Sequence, residues 1–149
     1  MLRVLVPVDR SPATLAAVRH VMQLAHHGLQ LEVVLAHVER EATPIELLRT
    51  NPDVLAGATS GAADSAFEPA EELLRGMNIA CERDLSLGDP ARVLLEVCER
   101  CHCRMIVIGS AERGDLHSAI FGSVSHAVAN KAHVPVTLVH PREDAAAAA

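Results

Sequence analysis

The sequence predicts an α/β fold, one parallel sheet with helices packed on both faces. Three observations carry this. Short apolar, β-branched runs alternate with segments whose apolar residues recur at helical spacing. Two of those segments open with a polar residue and a proline, Ser11-Pro12 and Asp89-Pro90, a helix-start signature. The chain is 149 residues long with 50% hydrophobic side chains, enough for one domain that buries roughly two thirds of its extended surface. Strands alternating with helices pair in parallel through right-handed crossovers, which leaves both sheet faces covered.

Each element follows in order. Residues 2–8, Leu-Arg-Val-Leu-Val-Pro-Val, read as a buried strand that ends at Asp9. Ser11 caps a helix whose Leu15, Val18, Met22 and Ala25 fall at helical spacing and which Gly28 closes. Residues 31–38 form a second strand. Residues 39–61, with two prolines among glycines and hydroxyl residues, suggest a long irregular segment, followed by a helix over about 62–76. Ile79, Cys81, Arg83 and Leu85 alternate as in a half-exposed edge strand. Gly88-Asp89-Pro90 then starts a helix over residues 91–99, with Val93, Leu94 and Val97 inward. Residues 104–108 form the fourth strand and end at Gly109. A loop with glycine and serine leads to Gly122-Ser123, where a helix runs to about Ala132. Val134–Val139 is the last strand, with Pro135 near its start, where proline is tolerated. The domain spans residues 1–141, and the tail 142–149, ending in five alanines, reads as disordered.

Composition excludes several functions. The formal charge is −6, and Phe67 and Phe121 are the only aromatics of the Phe, Tyr and Trp class. Such a chain lacks the basic patch and stacking platforms of a nucleic-acid binder. No apolar run approaches the ~18 residues of a membrane span, and the N-terminus has no signal-peptide pattern, so a cytoplasmic protein is expected. Twelve of the thirteen basic residues are Arg, and Lys131 follows Asn130, so no Gly-Lys-Ser/Thr phosphate loop exists. Residues 101–142 carry a net +2, which leaves −8 for the remainder and makes the last third the better place for an anion.

In a doubly wound sheet, ligands sit beyond the carboxyl ends of the strands, where the winding reverses. With strand order 3-2-1-4-5 that crevice lies between strands 1 and 4, facing Asp9 toward Gly109. Backbone N–H groups at a helix start near Gly122-Ser123 can bind an anion without lysine, with Ser123 and Ser125 as hydroxyl donors. The plainer reading makes Gly109 and Gly114 turn residues and Ser123 an ordinary N-cap.

Several short motifs together now resemble one family. These are Val6-Pro7-Val8-Asp9-x-Ser11, His37-Val38, Gly88-Asp89-Pro90, Ile106-Val107-Ile108-Gly109-Ser110, Gly122-Ser123-Val124-Ser125 and Val134-Pro135-Val136. From Leu2 to His140 the chain resembles a single-domain universal stress protein. The resemblance implies a five-stranded parallel sheet in order 3-2-1-4-5, a regulatory or binding role without catalysis, and a homodimer paired through Val134–His140. Many members bind ATP, with Mg²⁺, through Gly, two residues, Gly, nine residues, then Gly-Ser/Thr. Here Gly109 and the Gly122-Ser123 pair match, while the second Gly falls on Glu112. If nucleotide binds, the resemblance places Asp9 at the ribose and Pro7, Val8 and Val38 at the base. Gly109, Gly122, Ser123 and Val124 would hold the phosphates, and Ser11, Ser110 and Ser125 complete the candidate set. Asp9 can equally act as an acceptor for the N–H groups that start the first helix.

Glu112 and Arg10 depart from the family pattern. A carboxylate about 5 Å from one phosphate charge costs roughly 3 kcal/mol at an effective dielectric near 20, about a hundredfold in affinity. Arg10 or Arg113 can offset it. Two alternatives therefore stand beside an ATP-binding module: a nucleotide-free dimer acting through protein partners, and a slow ATP hydrolase using Asp9, Glu112 or Asp115. Cys98-Glu99-Arg100-Cys101-His102 matches a haem-attachment pattern in form, and with Cys103 it offers three thiols and an imidazole for a metal. Haem attachment requires export, and a metal knuckle would displace the fourth strand. With Cys98 on a helix face and Cys101 and Cys103 in the turn after it, ordinary reduced thiols are expected.

Overall fold

The computed structural model describes residues 1–40, 52–110 and 119–141. Five strands, β1 (Leu2–Pro7), β2 (Leu31–Glu39), β3 (Cys81–Leu87), β4 (Met105–Gly109) and β5 (Val136–Val139), form one sheet in the order β3-β2-β1-β4-β5. All four pairings are parallel. The helices are α1 (Pro12–His26), α2 (Pro52–Gly76), α3 (Pro90–Arg100) and α4 (Ala119–Lys131). Fold class and strand order are those expected.

The two-residue period of the strands splits the core into two layers. Val4, Val6, Val33 and Leu35 face α1 and α2, where Val18, Val21, Phe67 and Leu74 meet them. Leu5, Val34, Ala36, Ile106 and Ile108 face α3 and α4, against Val93, Leu94, Val97 and Val128. The face that α1 buries is Ala13, Thr14, Ala17, Val18 and Val21, so Leu15, Met22 and Ala25 flank the stripe and do not centre it. Small residues at 13 and 17 let α1 lie close to the end of β4.

Four local expectations are corrected. The segment read as irregular is helical from Pro52 onward: that proline occupies the first helical position, where its missing N–H costs nothing. In β3, Leu85 and Leu87 are 50% and 63% exposed, and the half-buried residues are Asp84 and Ser86. Asp84 is held from across the sheet edge by Arg100 at the end of α3 and accepts the Ser86 hydroxyl at 2.7 Å. Helix α4 begins at Ala119, so Gly122-Ser123 lies inside it and does not open it. Strand β5 begins at Val136; Pro135 precedes it and accepts the Ile106 N–H at 3.0 Å.

The edge strand β3 is tied down by one cation. Arg83 forms a fork to Glu71 of α2 at 2.6 and 2.7 Å, reaches Asp64 at 2.7 Å, and stacks 5.0 Å above the Phe67 ring. The Arg83 guanidinium holds the Glu71 carboxyl below its usual range.

Candidate functional site

At the carboxyl ends of β1, β2 and β4 lies a cavity of about 140 Å³. Pro7, Val8 and Asp9 form one wall, Ala36, His37, Val38 and Arg40 a second, and Pro90, Leu94, Ile108 and Val124 close it. The walls are mostly apolar, and Asp9, His37 and Arg40 bring the charge-bearing groups. Of the sequence candidates, Pro7, Val8, Asp9, Val38 and Val124 are brought together here.

The Asp9 side chain is committed to the start of α1. Its Oδ1 accepts the Ser11 N–H at 2.7 Å and the Thr14 hydroxyl at 2.9 Å, while the Asp9 N–H donates to Thr14 Oγ1 at 2.9 Å. This exchange replaces the expected Ser11 cap: Ser11 is the N-cap residue, but its side chain makes no capping bond. The Ser11 Oγ is buried and has no hydrogen-bond partner among the described residues. Asp89, by contrast, caps α3 as expected, accepting the Arg92 N–H at 3.1 Å.

His37 locks two strand ends together. One ring nitrogen lies 2.8 Å from the Val8 carbonyl and the other 3.0 Å from the Glu39 carboxylate. Both partners are acceptors, so an imidazolium satisfies both and a neutral ring satisfies one. The Val8 N–H donates in turn to the Ala36 carbonyl at 2.8 Å, which extends the β1–β2 ladder to the cavity rim.

Gly109 and Gly122 differ in kind. A Cβ on Gly109 would lie 2.1 Å from the Ala13 carbonyl oxygen and 2.5 Å from its carbon, so the contact between β4 and α1 excludes any side chain. Among the described residues, a Cβ on Gly122 would meet nothing within 4 Å. Ser110 is buried, and its hydroxyl lies 2.6 Å from His140 Nδ1, tying β4 to the end of β5. Ser125 is buried and donates to the Gly122 carbonyl at 3.1 Å, within its own helix. Ser123 is exposed on α4. Glu112, Arg113, Gly114, Asp115 and His117 lie outside the described residues.

Sequence reasoning did not assign Ala36, His37, Arg40, Pro90, Leu94 and Ile108 to the site. Ala36 lies two residues before Val38, on the same face of the strand, and Leu94 one helical turn after Pro90, so periodicity held a signal for both. Nothing local marked Arg40.

Comparison with known proteins settles the family. The universal stress protein family model matches residues 1–140. The chain belongs to the universal stress protein family. Among curated members, it is 22% identical to universal stress protein MJ0531 of Methanocaldococcus jannaschii over 92% of this chain and 81% of that one. It is 32% identical to a universal stress protein of Mycolicibacterium smegmatis over 95% of this chain. Stress response protein NhaX of Bacillus subtilis is 41% identical over 56 residues, which cover 38% of this chain. The matched regions are 46% of the Mycolicibacterium protein and 34% of NhaX, so the chain spans half or less of these two relatives. Among solved structures, the hypothetical protein MJ0577 matches with a TM-score of 0.78 and 23% identity over 95% of this chain and 97% of that chain. A family member from Arabidopsis thaliana with AMP bound matches at 0.68 and 18% over 97% and 94%. One from Archaeoglobus fulgidus in complex with dAMP matches at 0.64 and 20% over 93% and 98%. These likenesses show the fold. Among the described residues, no helix is long and apolar enough to cross a membrane.

Proposed function

We propose that this universal stress protein is a binding and regulatory module that takes an adenine nucleotide, ATP with Mg²⁺, in the crevice between β1 and β4. The observation that carries this reading is the apolar cavity at the strand carboxyl ends, where the winding of the sheet reverses. Its walls of Pro7, Val8, Val38, Leu94 and Val124 suit a flat heterocycle, and Arg40 supplies a permanent cation at the rim. Support also comes from relatives of the same fold solved with AMP, cAMP and dAMP.

The chemistry of the residues present fits the nucleotide. The buried, unpartnered Ser11 hydroxyl is available to a ribose or phosphate oxygen. Gly122 occupies a helical position where alanine is favoured by up to about 1 kcal/mol, yet among the described residues nothing lies within 4 Å of where a Cβ would stand, which is room an approaching phosphate needs. In this reading Asp9 lies near the ribose, Gly109 serves the crevice by letting α1 and β4 converge, Ser110 stands at the end of β4, and Ser123 and Ser125 stand on α4. Mg²⁺ enters with the phosphates. The protein binds and does not turn over: the Asp9 carboxylate, spent on Ser11 and Thr14, is a poor general base.

The module works as a cytoplasmic homodimer joined through Val134–His140. β5 is an edge strand, and Leu138 on it is 43% exposed, a strand edge open to pairing with a second copy. Glu112 favours a second reading, a nucleotide-free dimer that acts through protein partners. Native mass spectrometry with calorimetry separates them. Binding of Mg-ATP at or below millimolar concentration, without phosphate release over hours, is expected. No binding at millimolar ATP leaves the nucleotide-free dimer, and steady phosphate release makes the protein a slow hydrolase. A Glu112→Gly variant is expected to bind about a hundredfold more tightly by the charge argument; unchanged affinity refutes that argument.

A further inference from the structure

The turn after α3 brings two of the four cysteines together by backbone geometry alone. The Cys103 N–H donates to the Cys98 carbonyl at 2.9 Å, and the His102 N–H to the Glu99 carbonyl at 3.0 Å. His102 has a left-handed φ of 55°. These are the two bonds and the left-handed residue of a Schellman helix end, a motif in which the third residue from the end packs against the residue two beyond the cap. In most proteins that contact is between two hydrophobic side chains. Here both are cysteines, Cys98 and Cys103, each only 4% exposed.

The covalent geometry is favourable. The 2.9 Å hydrogen bond between these residues limits their Cα separation to at most about 6.8 Å, given standard bond lengths. Disulfides span Cα separations of about 4.4–6.8 Å. The Cys98 sulfur also lies 3.7 Å from the Cys103 carbonyl oxygen, so it already faces its neighbour. Both cysteines line a cavity of about 150 Å³, together with Leu95, Glu99, Lys131 and His133.

We propose that Cys98 and Cys103 form a reversible thiol–disulfide site oxidised by a hydroperoxide. The Cys98 thiolate attacks the terminal peroxide oxygen, the O–O bond breaks, and the leaving oxygen takes a proton as water or alcohol. The Cys103 sulfur then attacks the sulfur of the Cys98 sulfenic acid; the S–S bond forms, the S–O bond breaks, and the hydroxyl leaves with the Cys103 thiol proton as one molecule of water. Two thiols lose two electrons, which the peroxide gains. Cys98 is the attacking sulfur here and Cys103 the resolving one, in keeping with a Cys98 thiol held below its ordinary range by the neighbouring thiol and a Cys103 thiol pushed up; exchanging the two roles gives the same disulfide. Cys101, half-buried at the cap between them, is not part of the pair.

Trypsin tests this directly, because it cleaves after Arg92, Arg100 and Arg104 and so separates Cys98 from Cys103. Stoichiometric hydrogen peroxide is expected to lower the free thiols of the folded protein from four to two. Peptide 93–100 then joins peptide 101–104, and a reducing dithiol reverses the link. The link persists in Cys101→Ser and is lost in Cys103→Ser. Loss of the link in Cys101→Ser, or four free thiols after peroxide, overturns the proposal. So does Cys98 accumulating as sulfinic acid without a link. The wild-type and Cys101→Ser readings decide the matter even if Cys103→Ser does not fold.

Discussion

Gly109→Ala is the sharpest perturbation of the fold near the crevice. The new Cβ would stand 2.1 Å from the Ala13 carbonyl oxygen, whereas ordinary C···O approaches begin near 3.3 Å. Relief requires β4 and α1 to separate by about 1 Å, and both partners are backbone, so no side chain can rotate away. The neighbourhood is buried: Ala13 is 4% exposed, and Val107 and Ile108 just before the glycine are fully buried. Overpacking a rigid core costs 1–3 kcal/mol and occasionally more, and a clash of backbone on backbone belongs at the upper end, about 3 kcal/mol. With a urea m-value of about 2 kcal/mol/M, the midpoint falls by roughly 1.5 M. The assay is urea unfolding followed by circular dichroism. An unchanged midpoint would show that Gly109 is not a packing glycine and would return it to a role at the ligand alone.

Gly122→Ala should do the reverse: stability rises by up to about 1 kcal/mol from helix propensity, while ATP affinity in calorimetry falls about tenfold. A loss of stability refutes the reading of the open space beside it. Arg83→Ala removes the clamp between β3 and α2 and should lower stability by about 1 kcal/mol, a fall in Tm of about 2–4 °C. Its pH dependence has a defined sign. Because the folded Glu71 carboxyl sits below its ordinary 4.5, its contribution is complete above that value and disappears as pH falls through the folded value. The wild-type advantage over Arg83→Ala should therefore shrink below about pH 4.5 in acid titrations, and an advantage that grows there contradicts the assignment. Leu138→Arg is expected to give monomers on size-exclusion chromatography with light scattering, and an unchanged dimer moves the interface away from β5.

Much of the fold was legible because its signals are local. Ser11-Pro12 and Gly88-Asp89-Pro90 mark helix starts, and β-branched runs at 2–8, 31–38 and 104–108 mark strands that tertiary packing only confirms. What was not legible depends on contacts distant in sequence. Leu85 shares the face of Arg83, which Asp64 and Glu71 hold, yet it is 50% exposed, while Asp84 on the opposite face is held by Arg100. Helix α4 starts before Gly122 although glycine and serine resemble an entry signal. The cavity was half legible: Pro7, Val8, Asp9, Val38 and Val124 were found, whereas Arg40 carried no pattern. The pairing of Cys98 with Cys103 came from the left-handed His102, a residue type that gives little warning of that conformation.

Hydrogen–deuterium exchange with and without Mg-ATP tests the central claim most directly, since it asks where the nucleotide sits as well as whether it binds. The account predicts slowed exchange at residues 7–11, 36–40, 108–110 and 119–125, which border the crevice from β1, β2, β4 and α4. Slowed exchange that spares these segments, or none at saturating nucleotide, would contradict it.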